Sequence, residues 1–171
     1  MSRAAAQTDH GDFFRKFNKL VQVSTPAALE KGMSQAGFLW LRDSIMEINR
    51  VPLDKGPLRG SGSVFVGNTL IGTSAKAGAA VKLNEDGDGE PATELSQRDW
   101  FGRMILTVGF NTAYAAYQHE GIRMDGTHIV KLYQHSGTGK KFLTGKMVGN
   151  GYHYLEGINN VLKKEWRLAC A

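Results

Sequence analysis

The amino-acid sequence predicts an α+β protein: an antiparallel sheet of about four strands packed against a long N-terminal helix and a C-terminal helix, with extended loops. Three observations predict it. Residues 26–50 carry apolar side chains at helical spacing, residues 60–74 read as strand, tight turn and strand, and Tyr154, Ile158, Val161, Leu162 and Trp166 mark one face of a final helix.

In chain order, residues 1–12 are small and polar and read as a flexible N-terminal arm. Phe13, Phe14, Phe17 and Leu20 recur at helical spacing and predict a short first helix. Ser24-Thr25-Pro26 then starts a long one, because Thr25 can cap free amides and proline at the first helical position gives up no needed hydrogen bond. This helix is expected to run to about Arg50, with Leu29, Met33, Ala36 and Trp40 on one stripe and Phe38, Leu41, Ile45 and Ile48 on the next. So wide an apolar surface needs cover on two sides, from the sheet and the first helix, or from a neighbouring subunit at Phe38 or Trp40. Pro52 is expected to end the helix, since a residue before proline is pushed out of the helical region.

Residues 60–66 and 69–74 should form a hairpin across Gly67-Asn68, which can take the positive φ that a two-residue turn requires. Residues 75–99 lose the apolar pattern, and Asn84-Glu-Asp-Gly-Asp-Gly-Glu-Pro91 reads as an inserted loop or arm. Trp100 to Phe110 alternates as a half-buried strand; Asn111-Thr112 should cap a short helix through Gln118. Residues 122–141 read as an extended loop or hairpin, with 127–134 a candidate strand and 136–141 a turn. Lys163, Lys164 and Arg167 suit the negative end of the last helix.

The 171 residues, 42% hydrophobic and 22% charged, match one domain with a real core. Phe38-Leu-Trp-Leu41 falls far short of the roughly 20 apolar residues that span a bilayer, and Met1 to Gln7 lack the apolar core of a signal peptide, so synthesis in the cytoplasm with no membrane is the expectation. Cys170 is the sole cysteine and cannot form an internal disulfide. The net charge of +5 leaves contact with nucleic acid open without requiring it.

Candidate reagents break down on spacing. Asn84, Asp86, Asp88 and Gly89 fit the start of a calcium loop, but Leu95 stands where its terminal glutamate belongs, Glu94 is one residue early, and Pro91 interrupts it. Gly137-Thr-Gly-Lys-Lys141 lacks the first glycine and the final hydroxyl of a phosphate loop. His119, Glu120, His128 and His135 lack the spacing that sets two ligands on one helical face. Ser61 and Ser63 sit outside a nucleophile elbow. A basic C-terminal third with interleaved Phe142, Tyr152 and Tyr154 is the residual signal for phosphate contact. No enzyme and no cofactor are expected.

Two pieces are specific in form. In Pro52-x-Asp54-x-Gly56-x-Leu58-Arg59, proline stops a helix, Asp54 can accept turn amides, Gly56 supplies a conformation costly for other residues, Leu58 re-enters the core and Arg59 is left at the mouth of a strand. In Asn111-Thr-Ala-Tyr-Ala-Ala-Tyr-Gln-His-Glu-Gly121, Tyr114 and Tyr117 share a helical face. In this order, ahead of Gly139-Lys-Lys-Phe-Leu143 and a C-terminal helix, the pieces resemble the tail-completion and head-tail joining (neck, or minor capsid) protein family of long-tailed bacteriophages. That family's run is a long helix, a Pro-x-Asp-x-Gly-x-Leu-Arg turn with a serine and a strand, then Asn-x-x-Tyr-Ala before Glu-x-Gly. This chain holds Pro52, Asp54, Gly56, Leu58, Arg59, Ser61, Asn111, Tyr114, Ala115, Glu120 and Gly121, and the likeness spans residues 26–166. It departs at Gln118-His-Glu-Gly-Ile122, where the family has an apolar residue and glutamate before Phe-Gly-Thr, and in the inserted acidic loop at 82–94.

The resemblance implies a virion protein, assembled in the host cytoplasm, that forms a homo-oligomeric ring of six or twelve copies at the head-tail junction. It implies portal, adaptor or head-closure protein on one side and tail terminator or tail-tube protein on the other, with DNA passing through the lumen without sequence-specific binding and no catalytic residues. Rings need two unlike faces per subunit. Contacts are expected from loops 54–59 and 75–99 toward neighbours and 122–141 toward the adjoining ring, with Phe38, Trp40, Asp86, Asp88, Lys140 and Lys141 as contact residues. A tail terminator or other minor tail protein is the alternative, and a basic nucleic-acid-binding module the further one.

Overall fold

Helix α1, Thr25–Met46, lies along one face of a small sheet and against a second long helix. The computed structural model describes residues 15, 18, 25–48, 50–52, 57–75, 90–94, 104–122 and 137–170. After α1 come a single helical turn α2, Pro57–Gly60, the strands β1, Gly62–Val66, β2, Thr69–Thr73, and β3, Leu106–Phe110, the short helix α3, Ala115–Glu120, and the long helix α4, Thr144–Cys170. The predicted helix at 13–20, most of the 75–99 insertion and the candidate strand at 127–134 lie wholly or largely outside the described residues.

The architecture is α+β, with an antiparallel sheet of three described strands in the order β2-β1-β3; the fourth strand expected at 127–134 lies outside the described residues. Gly67, at φ 58°, turns Val66 back onto Thr69, which is the hairpin the sequence predicts. Strand β3 begins at Leu106 rather than near Trp100. Its partner β1 has reached the turn there, and Gly67 N–H takes the Ile105 carbonyl at 2.8 Å.

Helix α1 ends at Met46, ahead of the expected Arg50 and of Pro52. The cause is a bond from the chain just beyond the helix. Val51 N–H donates to the Ser44 carbonyl at 2.8 Å, filling the acceptor that a continuing helix would offer to Ile48, and Ile48 is left 79% exposed instead of on a core stripe. Arg50 then bridges the far segment in parallel, donating N–H to Gly137 O at 3.0 Å and accepting from Gly139 N–H at 3.1 Å. Similarly, residues 57–60 form a helical turn instead of leading straight into a strand, because Ser61 donates its amide to Pro57 O and its hydroxyl to Leu58 O.

Two apolar clusters hold the elements together. Leu41, Ile45, Val64 and Val108 form one between α1 and the sheet, with Trp40, Ile71, Leu106, Phe110 and Leu143 around it. Val51, Leu58 and Phe142 form the other, closed by Phe110, Tyr114, Ala115 and Leu143. Glycines set the spacing: a Cβ on Gly37 would lie 2.4 Å from Val64 Cγ1 and 2.7 Å from Leu106 Cδ1, and one on Gly32 would lie 3.1 Å from Ile158 Cα. The face of α1 toward α4 is therefore built of Ala28, Gly32 and Ala36, all buried, while Leu29 and Met33 of the expected stripe are only half-buried.

Candidate assembly surface

Helices α1 and α4 run antiparallel, and a chain of polar contacts fixes their register. Thr25 Oγ1 accepts from Trp166 Nε1 at 3.1 Å, and Lys31 pairs with Glu165 at 2.7 Å. Buried Asp43 accepts from the Tyr154 hydroxyl at 2.9 Å, from Asn150 Nδ2 at 3.4 Å and from Arg42 at 3.0 Å. Lys146 reaches Ile48 O at 2.6 Å and Glu47 at 3.1 Å. Burial, then the hydrogen bond and charge of Asp43, push the Tyr154 phenol well above the usual tyrosine range.

With that face of α4 committed, another is left to solvent. Val148, Tyr152 and Leu155, at i, i+4 and i+7, are 88%, 75% and 66% exposed. The bond from Lys146 places exposed Ile48 at the same end of the helix. Toward the other end, Asn160, Lys163, Lys164, Arg167 and Leu168 line an open groove of about 490 Å³. This is an unlike patch, basic where the first is apolar.

The two sequence pieces singled out for their form meet in one corner. Asn111 N–H donates to Ser61 O at 3.1 Å, and Leu58, Tyr114 and Ala115 belong to the same cluster. Arg59 sits in the helical turn, donates to Val51 O at 3.0 Å, and has its guanidinium pKa lowered by burial and then by nearby Arg50. Pro52 is buried; Asp54 and Gly56 lie outside the described residues. The predicted cap of α3 by Asn111 and Thr112 side chains is not made. Tyr114 holds the cap position without a capping bond, Ala115 N–H takes the Thr112 backbone carbonyl, and the Asn111 amide reaches across to Glu90 O at 3.1 Å. The helix extends through Glu120, and Gly121, at φ 72°, closes its end.

Of the expected contact residues, Trp40 is used inside the chain, donating to Leu143 O at 3.0 Å and stacking on Tyr154 at 6.4 Å, and Phe38 is half-buried. Lys140 is exposed, while Lys141 pairs with Glu120. Asp86 and Asp88 lie outside the described residues. The described end of the acidic insertion does not stand clear of the body: Ala92 and Glu94 wall a groove of about 240 Å³ with Ser63, Phe65, Thr107 and Gly109, the sheet face turned away from α1. Sequence reasoning missed the Val148-Tyr152-Leu155 stripe, although its spacing was there to be read.

Among the described residues no cluster of three or more His, Cys, Asp or Glu side chains is placed to hold a metal ion, and no helix is long and apolar enough to cross a membrane. Comparison with protein-family models, with curated proteins and with solved structures gave no match.

Proposed function

We propose that this chain is a structural subunit of the bacteriophage neck, forming a ring that joins or completes the tail at the portal-adaptor-tail interface and lets DNA pass. The observation that carries this reading is the outer face of α4, where Val148, Tyr152 and Leu155 stand exposed on a helix whose other face packs on α1. Large apolar side chains in one exposed stripe suit a partner surface. The basic groove of Lys163, Lys164 and Arg167 supplies a second, unlike patch, as a head-to-tail ring requires. The motif residues fit the same picture, because Leu58, Tyr114 and Ala115 act as frame and not as reagents.

Removing the gene from the phage that carries it tests the proposal directly. Electron microscopy is expected to show filled heads and tails that fail to join or tails left incomplete. Complete, infectious particles would overturn it. A tail terminator or other minor tail protein is the reading if tails form at abnormal length while heads stay closed. The basic groove also favours a nucleic-acid-binding module, which requires the isolated monomer to bind duplex DNA with an affinity that falls steeply with salt. The ring reading expects little such affinity, and multimers once portal, adaptor or tail partners are present.

A further inference from the structure

Helix α4 starts under an arrangement its own flanking sequence does not supply. Lys141 takes φ 58°, and its carbonyl receives Gly145 N–H at 2.7 Å. The amide of Thr144, one of the early N–H groups that no turn of the helix can satisfy, is met from α3 instead. His119 Nε2 lies 3.3 Å from Thr144 N and 3.3 Å from Thr144 Oγ1. A ring nitrogen that accepts an amide N–H carries a lone pair, so the proton of the neutral imidazole belongs on Nδ1, which faces Glu120 Oε1 at 3.0 Å. The second Glu120 oxygen pairs with Lys141, whose N–H donates to the His119 carbonyl at 2.6 Å. Phe142 packs edge-on to the ring at 4.9 Å, and the His119 side chain is 13% exposed.

We propose that His119 is a proton-sensitive cap: the neutral ring closes the first turn of α4 onto α3, and the imidazolium, with hydrogen on both nitrogens, releases it. Among the described residues, the charged groups facing the ring are Glu120 of α3 and Lys141 of the connecting segment, with the first turn of α4 beside them. A second proton takes away the atom that accepts from Thr144 at any pH where it binds. The device stands whether or not the chain builds a ring.

Nitrogen NMR of the folded protein tests it without any mutation. The expected result at neutral pH is a proton on Nδ1 and none on Nε2. On acidification, the protection of the Thr144 amide, its exchange rate divided into the intrinsic rate at each pH, is expected to fall about five- to tenfold, with the same midpoint as the His119 ring shifts. The Gly145 amide, bonded to the Lys141 carbonyl, should follow more weakly. In His119→Gln, which keeps an uncharged acceptor, Thr144 exchange should lose that midpoint. A proton on Nε2 at neutral pH, or Thr144 exchange indifferent to the ring titration, would overturn the proposal even if the variant fails to fold.

Discussion

Replacing Gly37 with alanine sets two effects of opposite sign against each other. Gly37 lies in the interior of α1, where alanine is favoured over glycine by about 1 kcal/mol on helix propensity alone. At this site the added Cβ would sit 2.4 Å from Val64 Cγ1 and 2.7 Å from Leu106 Cδ1, far inside contact distance of two strands at once. Neither side chain can retreat cheaply, since Val64 is fully buried and Leu106 packs in the same cluster, and overpacking of this kind costs about 1–3 kcal/mol. With the clash at the upper end of that range, because both contacts lie under 3 Å, the net expectation is a loss of up to about 2 kcal/mol, a fall in melting temperature of up to roughly 8 °C for a chain of this size. Gly149 is the internal control: it lies exposed in α4 with nothing within 4 Å of a new Cβ, so Gly149→Ala should gain about 0.5–1 kcal/mol. Urea denaturation followed by circular dichroism reads both from their midpoints. Should Gly37→Ala match Gly149→Ala in sign, the close approach of α1 to the sheet is wrong.

The outer face of α4 gives a different pattern: Val148→Asp with Leu155→Asp should shift stability by no more than about 0.5 kcal/mol per site and yet abolish multimers with partner proteins, as read by mass photometry. Tyr154→Phe leaves Asp43 with a lost donor and should cost about 1–3 kcal/mol. In the parent, one tyrosine should ionise late in an ultraviolet titration and be missing from that variant. Because the folded phenol is raised, its contribution is complete below the ordinary tyrosine value and disappears as pH climbs through the raised one. Glu120 behaves in the opposite sense: Lys141 first, then His119, hold its carboxyl below the usual range, so its contribution is present above that range and lost as pH falls through the lowered value. Glu120→Gln should flatten this acid-side slope in urea midpoints measured against pH.

The parts of the fold that local chemistry dictates were legible in the sequence. The chain turns at Gly67-Asn68 with Gly67 supplying the positive φ, and the face of Tyr154, Ile158 and Val161 does mark a final helix. What depends on how the chain folds back on itself was not. The end of α1 is set by Val51 bonding back to Ser44, a contact invisible to any reading of helix propensity, so Pro52 was credited with a stop already made. The cap of α3 failed because the helix starts only at Ala115, with Tyr114 at the cap position, while the Asn111 side chain is turned across to Glu90. Gly32 and Gly37 look like weak helix residues until Ile158, Val64 and Leu106 are placed against them. The α4 stripe escaped because the buried face had already accounted for the apolar pattern, and Val148, Tyr152 and Leu155 lie around the helix from it.

The antiparallel clasp of α1 and α4 also gives the subunit a mechanical grain. Thr25 meets Trp166 at one pole, and Lys146 meets Glu47 at the other. Tension applied across residues 25 and 166 would part the two helices like a zipper, meeting Lys31–Glu165, then the Gly32–Ile158 approach, then Asp43–Tyr154 in turn. Tension across residues 25 and 144 would load the same contacts together, in shear. A load applied at opposite poles of the clasp would therefore find it strong, and one that pulled both helices apart from the Thr25 pole would find it easy to open.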